Sequence, residues 1–153
     1  IDFEYHYTVR ALFNLSGLRF DRISALLYVD RRGAPENRQY GFNTRLKIAL
    51  LYSMARISRL VRNPNAYITE VNWPLSGTAP YAPTSETECV TPDEYARYMH
   101  DYLEMALNSG KVERVYWHQL IAPGYGFIDS RNGAMKKYPA YQVFKDLVQQ
   151  VSG

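Results

Sequence analysis

The stretch Tyr67-Ile68-Thr69-Glu70-Val71-Asn72-Trp73-Pro74 decides how the chain is read. Its β-branched and aromatic residues mark a short buried strand. The strand ends in a carboxylate, an amide and an indole, and a long loop with Pro80 and Pro83 follows at once, running to residue 90. A strand that carries polar side chains at its C-terminal tip into a long loop is the working unit of a (β/α) barrel. Loops of that length inside a compact domain are usually functional.

Reading outward, residues 19–30 hold the nearly continuous apolar run Ile23, Ala25, Leu26, Leu27, Tyr28, Val29, which predicts a strand buried on both faces, as in a parallel sheet. Residues 42–61 turn helical, with Leu46, Leu50, Met54, Ile57 and Val61 as the apolar stripe, and Asn63-Pro64-Asn65 as the stop. Downstream, Thr91-Pro92-Asp93-Glu94 is a capping box with proline in the first turn. Tyr95, Tyr98, Met99, Tyr102 and Ala106 share one face of the helix that follows, and Gly110 ends it. Residues 112–121 predict another strand. Residues 123–137 predict its loop, with a turn at Asn132-Gly133, and Pro139 opens a last helix carrying Val143, Phe144, Leu147, Val148 and Val151. At the other end, residues 1–7 read as a strand end or an ordered loop, and 8–15 as a short helix punctuated by Gly17.

The alternation predicts an α/β fold built from βαβ units around a parallel sheet. The long loops follow strands and the short ones follow helices, which favours a barrel with its site on the C-terminal face. An open doubly wound sheet is the alternative, although no G-x-G-x-x-G follows a strand. Three clear strands and a fourth candidate are too few for a closed eight-fold barrel, which needs about 250 residues. Residue 1 is Ile inside an apolar-aromatic segment. The expectation is therefore one domain over residues 1–153 that is a fragment of a longer chain.

Composition narrows the function. Of the 153 residues 46% are apolar, which argues against disorder. Net charge is +3, and the densest basic clusters are only the pairs Arg31-Arg32 and Lys136-Lys137, so nucleic acid is a poor partner. No apolar run approaches 18 residues, so no membrane span is expected. The single cysteine, Cys89, fits a reducing compartment and slightly favours a cytoplasmic location. Fourteen tyrosines offer flat faces with polar tips, suited to half-buried faces or to a carbohydrate surface. No set of His, Cys and carboxylates has metal-ligand spacing, and no cofactor is expected.

Three features together resemble the last half of a barrel from the glycoside hydrolase clan with two catalytic glutamates (clan A, retaining). They are Thr69-Glu70-Val71-Asn72-Trp73, the run from Asn108 into Val115-Tyr116-Trp117, and Gly126-Phe127-Ile128-Asp129 through Tyr138-Pro139-Ala140-Tyr141. The likeness spans about residues 19–150. It implies the C-terminal half of a (β/α)8 TIM barrel, with residues 66–73 as the seventh strand. It implies that Glu70 is the nucleophile of a retaining O-glycosidase and that Tyr28, Asn72, Trp73 and Trp117 are substrate-binding. Tyr28, at the tip of the sixth strand, would orient Glu70, and Trp117 would lie under the sugar ring. The clan's proton donor sits in an Asn-Glu pair. This sequence has no such dipeptide, so the donor is expected upstream and the piece alone is expected to be inactive. Two further departures are Leu26, where relatives often have His, and Asn72, where they often have Gly.

The competing expectation is a non-catalytic glycan-binding barrel or pseudoenzyme. Open sheet edges would also favour self-association. At single positions, Glu70 could instead pair with an arginine, and His118 reads as a structural, hydrogen-bonded histidine. Asp30, Arg31 and Arg32 read as a solvated loop or as rim residues for an acidic sugar. Cys89 reads as a nucleophile only weakly.

Overall fold

The computed structural model describes residues 3–15, 17–29, 33–38 and 42–152, with the side chains of 3–5, 132, 151 and 152 left aside. Three apolar runs become three parallel strands: β1 (Ser24–Leu26), β2 (Ala66–Val71) and β3 (Val112–Trp117), hydrogen-bonded in that order. Between and around them run α1 (Phe3–Asn14), α2 (Thr44–Ser58), α3 (Pro92–Asn108) and α4 (Pro139–Ser152). The class is α/β, a three-stranded parallel sheet alternating with helices, and the sequential strand order is compatible with part of a barrel. A short antiparallel pair, β4 (Ile128–Asp129) with β5 (Lys136–Lys137), lies between β3 and α4.

Burial divides the sheet into two faces. Ile23, Leu27 and Val29 in and around β1, Ala66, Ile68 and Val71 of β2, and Val112 of β3 are all buried. Right-handed crossovers between strands in sequential order put α2 and α3 on one face, and this is the face they cover. The alternate residues are open: Leu26 is 45% exposed, Tyr116 47%, and Thr69 is exposed. The expectation that the β1 run is buried on both faces is therefore corrected. It alternates, because helices cover only one side.

The helices follow their local signals with two exceptions. At α3 the capping box forms in both directions, with Glu94 N–H donating to Thr91 Oγ1 and Thr91 N–H donating to the Glu94 carboxylate. Gly110 takes φ +66 just past the end of α3, as a C-terminal stop requires. At α2 the cap is Asn43, but the stripe differs from the one read in the sequence. Ile48, Leu51, Met54 and Ala55 are buried, whereas Ile57 is 66% exposed and Leu46 is also exposed. Met54 belongs to both stripes, and Leu50 and Val61 pack half-buried against the core as expected. Packing against the sheet shifts the buried face toward Ile48, Leu51 and Ala55 and leaves only Leu46 and Ile57 of the expected stripe exposed. At the N-terminal end, residues 3–7 of the expected strand end or loop are instead the first turns of α1, while residues 1 and 2 lie outside the described residues. Its aromatic and β-branched residues mimic a strand because propensity is a weak prior.

Beyond Trp117 the third strand stops earlier than expected. His118 N–H still donates to Val71 O, and the chain then turns to meet the hairpin through Ile128 N–H to Leu120 O and Ala122 N–H to Ile128 O.

Candidate active site at the strand tips

Parallel strands bring their C-terminal ends to one rim, and Glu70 and Tyr28 meet there. Leu26 of β1 is in register with Glu70 of β2, and Leu27 N–H donates to Glu70 O. Tyr28, two residues on, donates its hydroxyl to Glu70 Oε1. Both side chains are half-buried. The partner of Glu70 is thus a phenol and not an arginine. Glu70 Oε2 has no hydrogen-bond partner among the described residues.

Of the other expected substrate contacts, Asn72 and Trp73 lie in the core and Trp117 packs half-buried against it. Trp73 is 0% exposed and donates its Nε1–H to Gly33 O at 3.0 Å. Its ring stacks on Trp117 (centroids 5.7 Å apart, 17° between planes) and meets Tyr98 and Tyr102 edge-on or tilted. Asn72 is buried beside it. Trp117 also stacks on Phe127 and donates to Tyr95 Oη at 2.8 Å. Tyr95 donates in turn to Tyr125 O at 2.9 Å, and its burial pushes the phenol above its ordinary range. Tyr102 donates to Leu27 O at 2.7 Å. Where the resemblance implies sugar contacts from Asn72, Trp73 and Trp117, Trp73 is buried against α3, Asn72 is buried beside it, and Trp117 packs half-buried on the same layer. The reason is that Trp73 and Trp117 meet the tyrosine face of that helix. Many aromatic groups there bury their rings and hydrogen-bond their polar tips, as amphipathic rings favour.

His118 faces away from this layer, as strand alternation requires. Its ring stacks on Tyr125 (5.5 Å, 14°) and makes no side-chain hydrogen bond among the described residues, so the hydrogen-bonded histidine expected from sequence is corrected. Cys89 lies half-buried in the 74–90 loop, its Sγ 3.4 Å from Ser85 O. Asp30, Arg31 and Arg32 lie outside the described residues.

Two rim loops are locked together by a cluster that the sequence did not advertise. Asp129 is 4% exposed and accepts from Arg131 Nε (2.8 Å), Arg131 N–H (2.9 Å) and the Tyr138 hydroxyl (3.1 Å). Arg131 reaches across to Thr78 O and lies over the Tyr81 ring. Leu75 N–H donates to Gly124 O at 2.7 Å, and Gly124 sits so close to Tyr81 O that a Cβ would come within 2.3 Å of it. The only sequence hint was an Asp two residues before an Arg at a turn. The Arg131 hydrogen bonds are the main reason that the Asp129 carboxyl is lowered to about 2. A depressed carboxylate stabilises the fold above its unfolded value near 3.8 and loses that contribution as pH falls toward 2. Asp129→Asn is expected to cost about 2 kcal/mol at pH 7 by urea denaturation. The gap between variant and parent should close as pH falls from about 4 to about 2. A gap that does not change with pH would contradict this origin.

Among the described residues no group of three or more His, Cys, Asp or Glu side chains is placed to hold a metal ion, and no helix is long and apolar enough to cross a membrane. No protein-family model matches the chain, and no curated protein matches it in sequence.

Proposed function

We propose that the chain is the C-terminal half of a (β/α)8 barrel of the retaining, two-glutamate type, and that Glu70 is its nucleophile toward a glycoside. The observation that supports this most is the Glu70–Tyr28 pair at the strand tips, with one carboxylate oxygen held by a phenol and the other without a partner among the described residues. That division is what an attacking carboxylate needs, since the held oxygen fixes the direction of the other. On this assignment β1, β2 and β3 are the sixth, seventh and eighth strands, and α4 is the eighth helix.

In the reaction, Glu70 Oε2 attacks the anomeric carbon while the bond to the leaving oxygen breaks, giving a glycosyl ester. A second carboxyl group, about 5–5.5 Å away across the sugar, gives its proton to the leaving oxygen and then takes one from the water that hydrolyses the ester. The sequence holds no Asn-Glu dipeptide, so the donor is assigned to a segment outside these residues. The outer strands β1 and β3 are where further barrel strands, or another copy, would pair.

A non-catalytic glycan-binding barrel is the second reading. Burial of Trp73 favours it, because an expected substrate contact is taken up by the core, and Trp117, expected under the sugar ring, is half-buried between Trp73 and Phe127. Turnover of aryl glycosides by the full-length protein and its Glu70→Gln variant separates the two. Turnover that is lost in the variant supports the enzyme. Glycan binding with no turnover in the parent supports the binding module, and unchanged turnover in the variant ends the assignment of Glu70.

A further inference from the structure

We propose that the groove at the C-terminal end of α2, at the opposite end of the strands from Glu70, binds the phosphate group of a phosphorylated small molecule or lipid. The groove has a volume of about 440 Å³ and is lined by Arg19, Arg56, Arg59 and Arg62, with Leu60 and Pro64. The four arginines come from two separate segments. Phe20 N–H donates to Leu60 O and Arg62 N–H to Phe20 O, both at 2.8 Å, and Asn63 N–H donates to Asp21 O at 3.1 Å. This ladder holds residues 19–21 beside 60–63, so the four exposed arginine side chains that line the groove rise from a fixed backbone frame.

Only one of the four is neutralised. Arg62 Nη1 lies 3.0 Å from Asp21 Oδ1, while Arg19, Arg56 and Arg59 have no carboxylate partner among the described residues. Three uncompensated positive charges sharing a concave site repel one another and attract an anion. Planar guanidinium forks match the oxygens of a phosphate in pairs. Arg56 and Arg59 also stand near the last carbonyls of α2, whose partial negative charge favours cations. That account covers neither Arg19, on the other segment, nor Arg62, which lies beyond the end of α2.

Arg59 supplies a second, independent observation. It is the C-cap of α2 and takes φ +56, the left-handed region, and among the described residues it is the one non-glycine residue to do so. Glycine is the usual residue there because a side chain strains this conformation. The chain keeps a guanidinium at a position where glycine would be more stable, and such outliers gather at functional sites. An adjoining groove of about 530 Å³ shares Arg56 and Arg59 and is lined by Tyr52, Ser53 and the exposed Ile57. It offers an aromatic and apolar surface for the body of a molecule whose phosphate the arginines hold.

The test is calorimetric titration of the protein with inorganic pyrophosphate at low salt, alongside co-sedimentation with phosphatidylcholine vesicles with and without phosphatidic acid. Arg59→Gly and Arg56→Gln are the variants. Saturable pyrophosphate binding, weakened roughly tenfold in each variant, supports a soluble phosphorylated ligand. Binding confined to phosphatidic acid vesicles, and lost in the variants, supports a lipid source of the same chemistry. In either case Arg59→Gly is expected to raise the melting temperature while it weakens binding, a pairing that a purely structural arginine would not give. Absence of binding to both probes, or equal affinity in parent and variants, overturns the proposal.

Discussion

Full-length protein carrying Glu70→Gln is expected to release aryl leaving groups at least about 10³-fold more slowly than the parent, with the loss in kcat rather than in KM. The introduced amide keeps the size of the side chain and the hydrogen bond from Tyr28 but has no anionic oxygen to attack with. The substrate would still bind, because the exchange removes reactivity and leaves shape. The companion variant Glu70→Ala opens a space at the same point. Added azide should enter it, attack in place of the carboxylate and restore turnover as a glycosyl azide. A positioning role for Glu70 would give neither the selective fall in kcat nor the azide product.

Trp73→Ala is expected to destabilise the protein by about 4 kcal/mol, the middle of the range for loss of a buried aromatic ring. Trp73 has no exposed surface and stacks on Trp117, and its indole N–H is the partner of Gly33 O. Removing it leaves a cavity among Tyr98, Tyr102 and Trp117 and an acceptor without its donor. For a chain of this length the loss corresponds to a fall in melting temperature of roughly 8–16 °C. Trp73→Phe keeps most of the ring and should cost only about 1–2 kcal/mol. Urea and thermal unfolding of the two variants would check the order. An alanine variant within about 1 kcal/mol of the parent would show that the aromatic layer does not hold the sheet to α3.

Much of this architecture could be read from the residues because its signals are local. The capping box at Thr91 to Glu94, Pro139 at the start of α4, and the stop at Gly110 each act within one turn of chain. The order of strands and helices followed from them. Quantities set by tertiary packing were not legible. The α2 stripe depends on which side the sheet lies, so Ile57 is exposed although it is apolar. The length of β1 depends on a register shift between Ala25 and Leu26 that no local pattern encodes. The hairpin β4–β5 was hidden inside a loop because each of its strands is only two residues long.

The candidate site divides in the same way. Glu70 and Tyr28 were both named from sequence, and their meeting follows from parallel strands in register. Trp73 and Trp117 carry the same residue type whether they face a ligand or a helix. The tyrosine face of α3 takes up Trp73 fully and Trp117 in part. The Asp129–Arg131 lock was missed because its reach to Thr78 spans two loops.

Covalent trapping tests the central claim most directly. The full-length protein would be incubated with a panel of 2-deoxy-2-fluoro glycosides bearing good leaving groups, then digested and its peptides weighed. A retaining mechanism through Glu70 predicts one added sugar on the peptide that contains Thr69-Glu70-Val71, and none in the Glu70→Gln variant. Turnover of aryl glycosides with the label on another residue would contradict it.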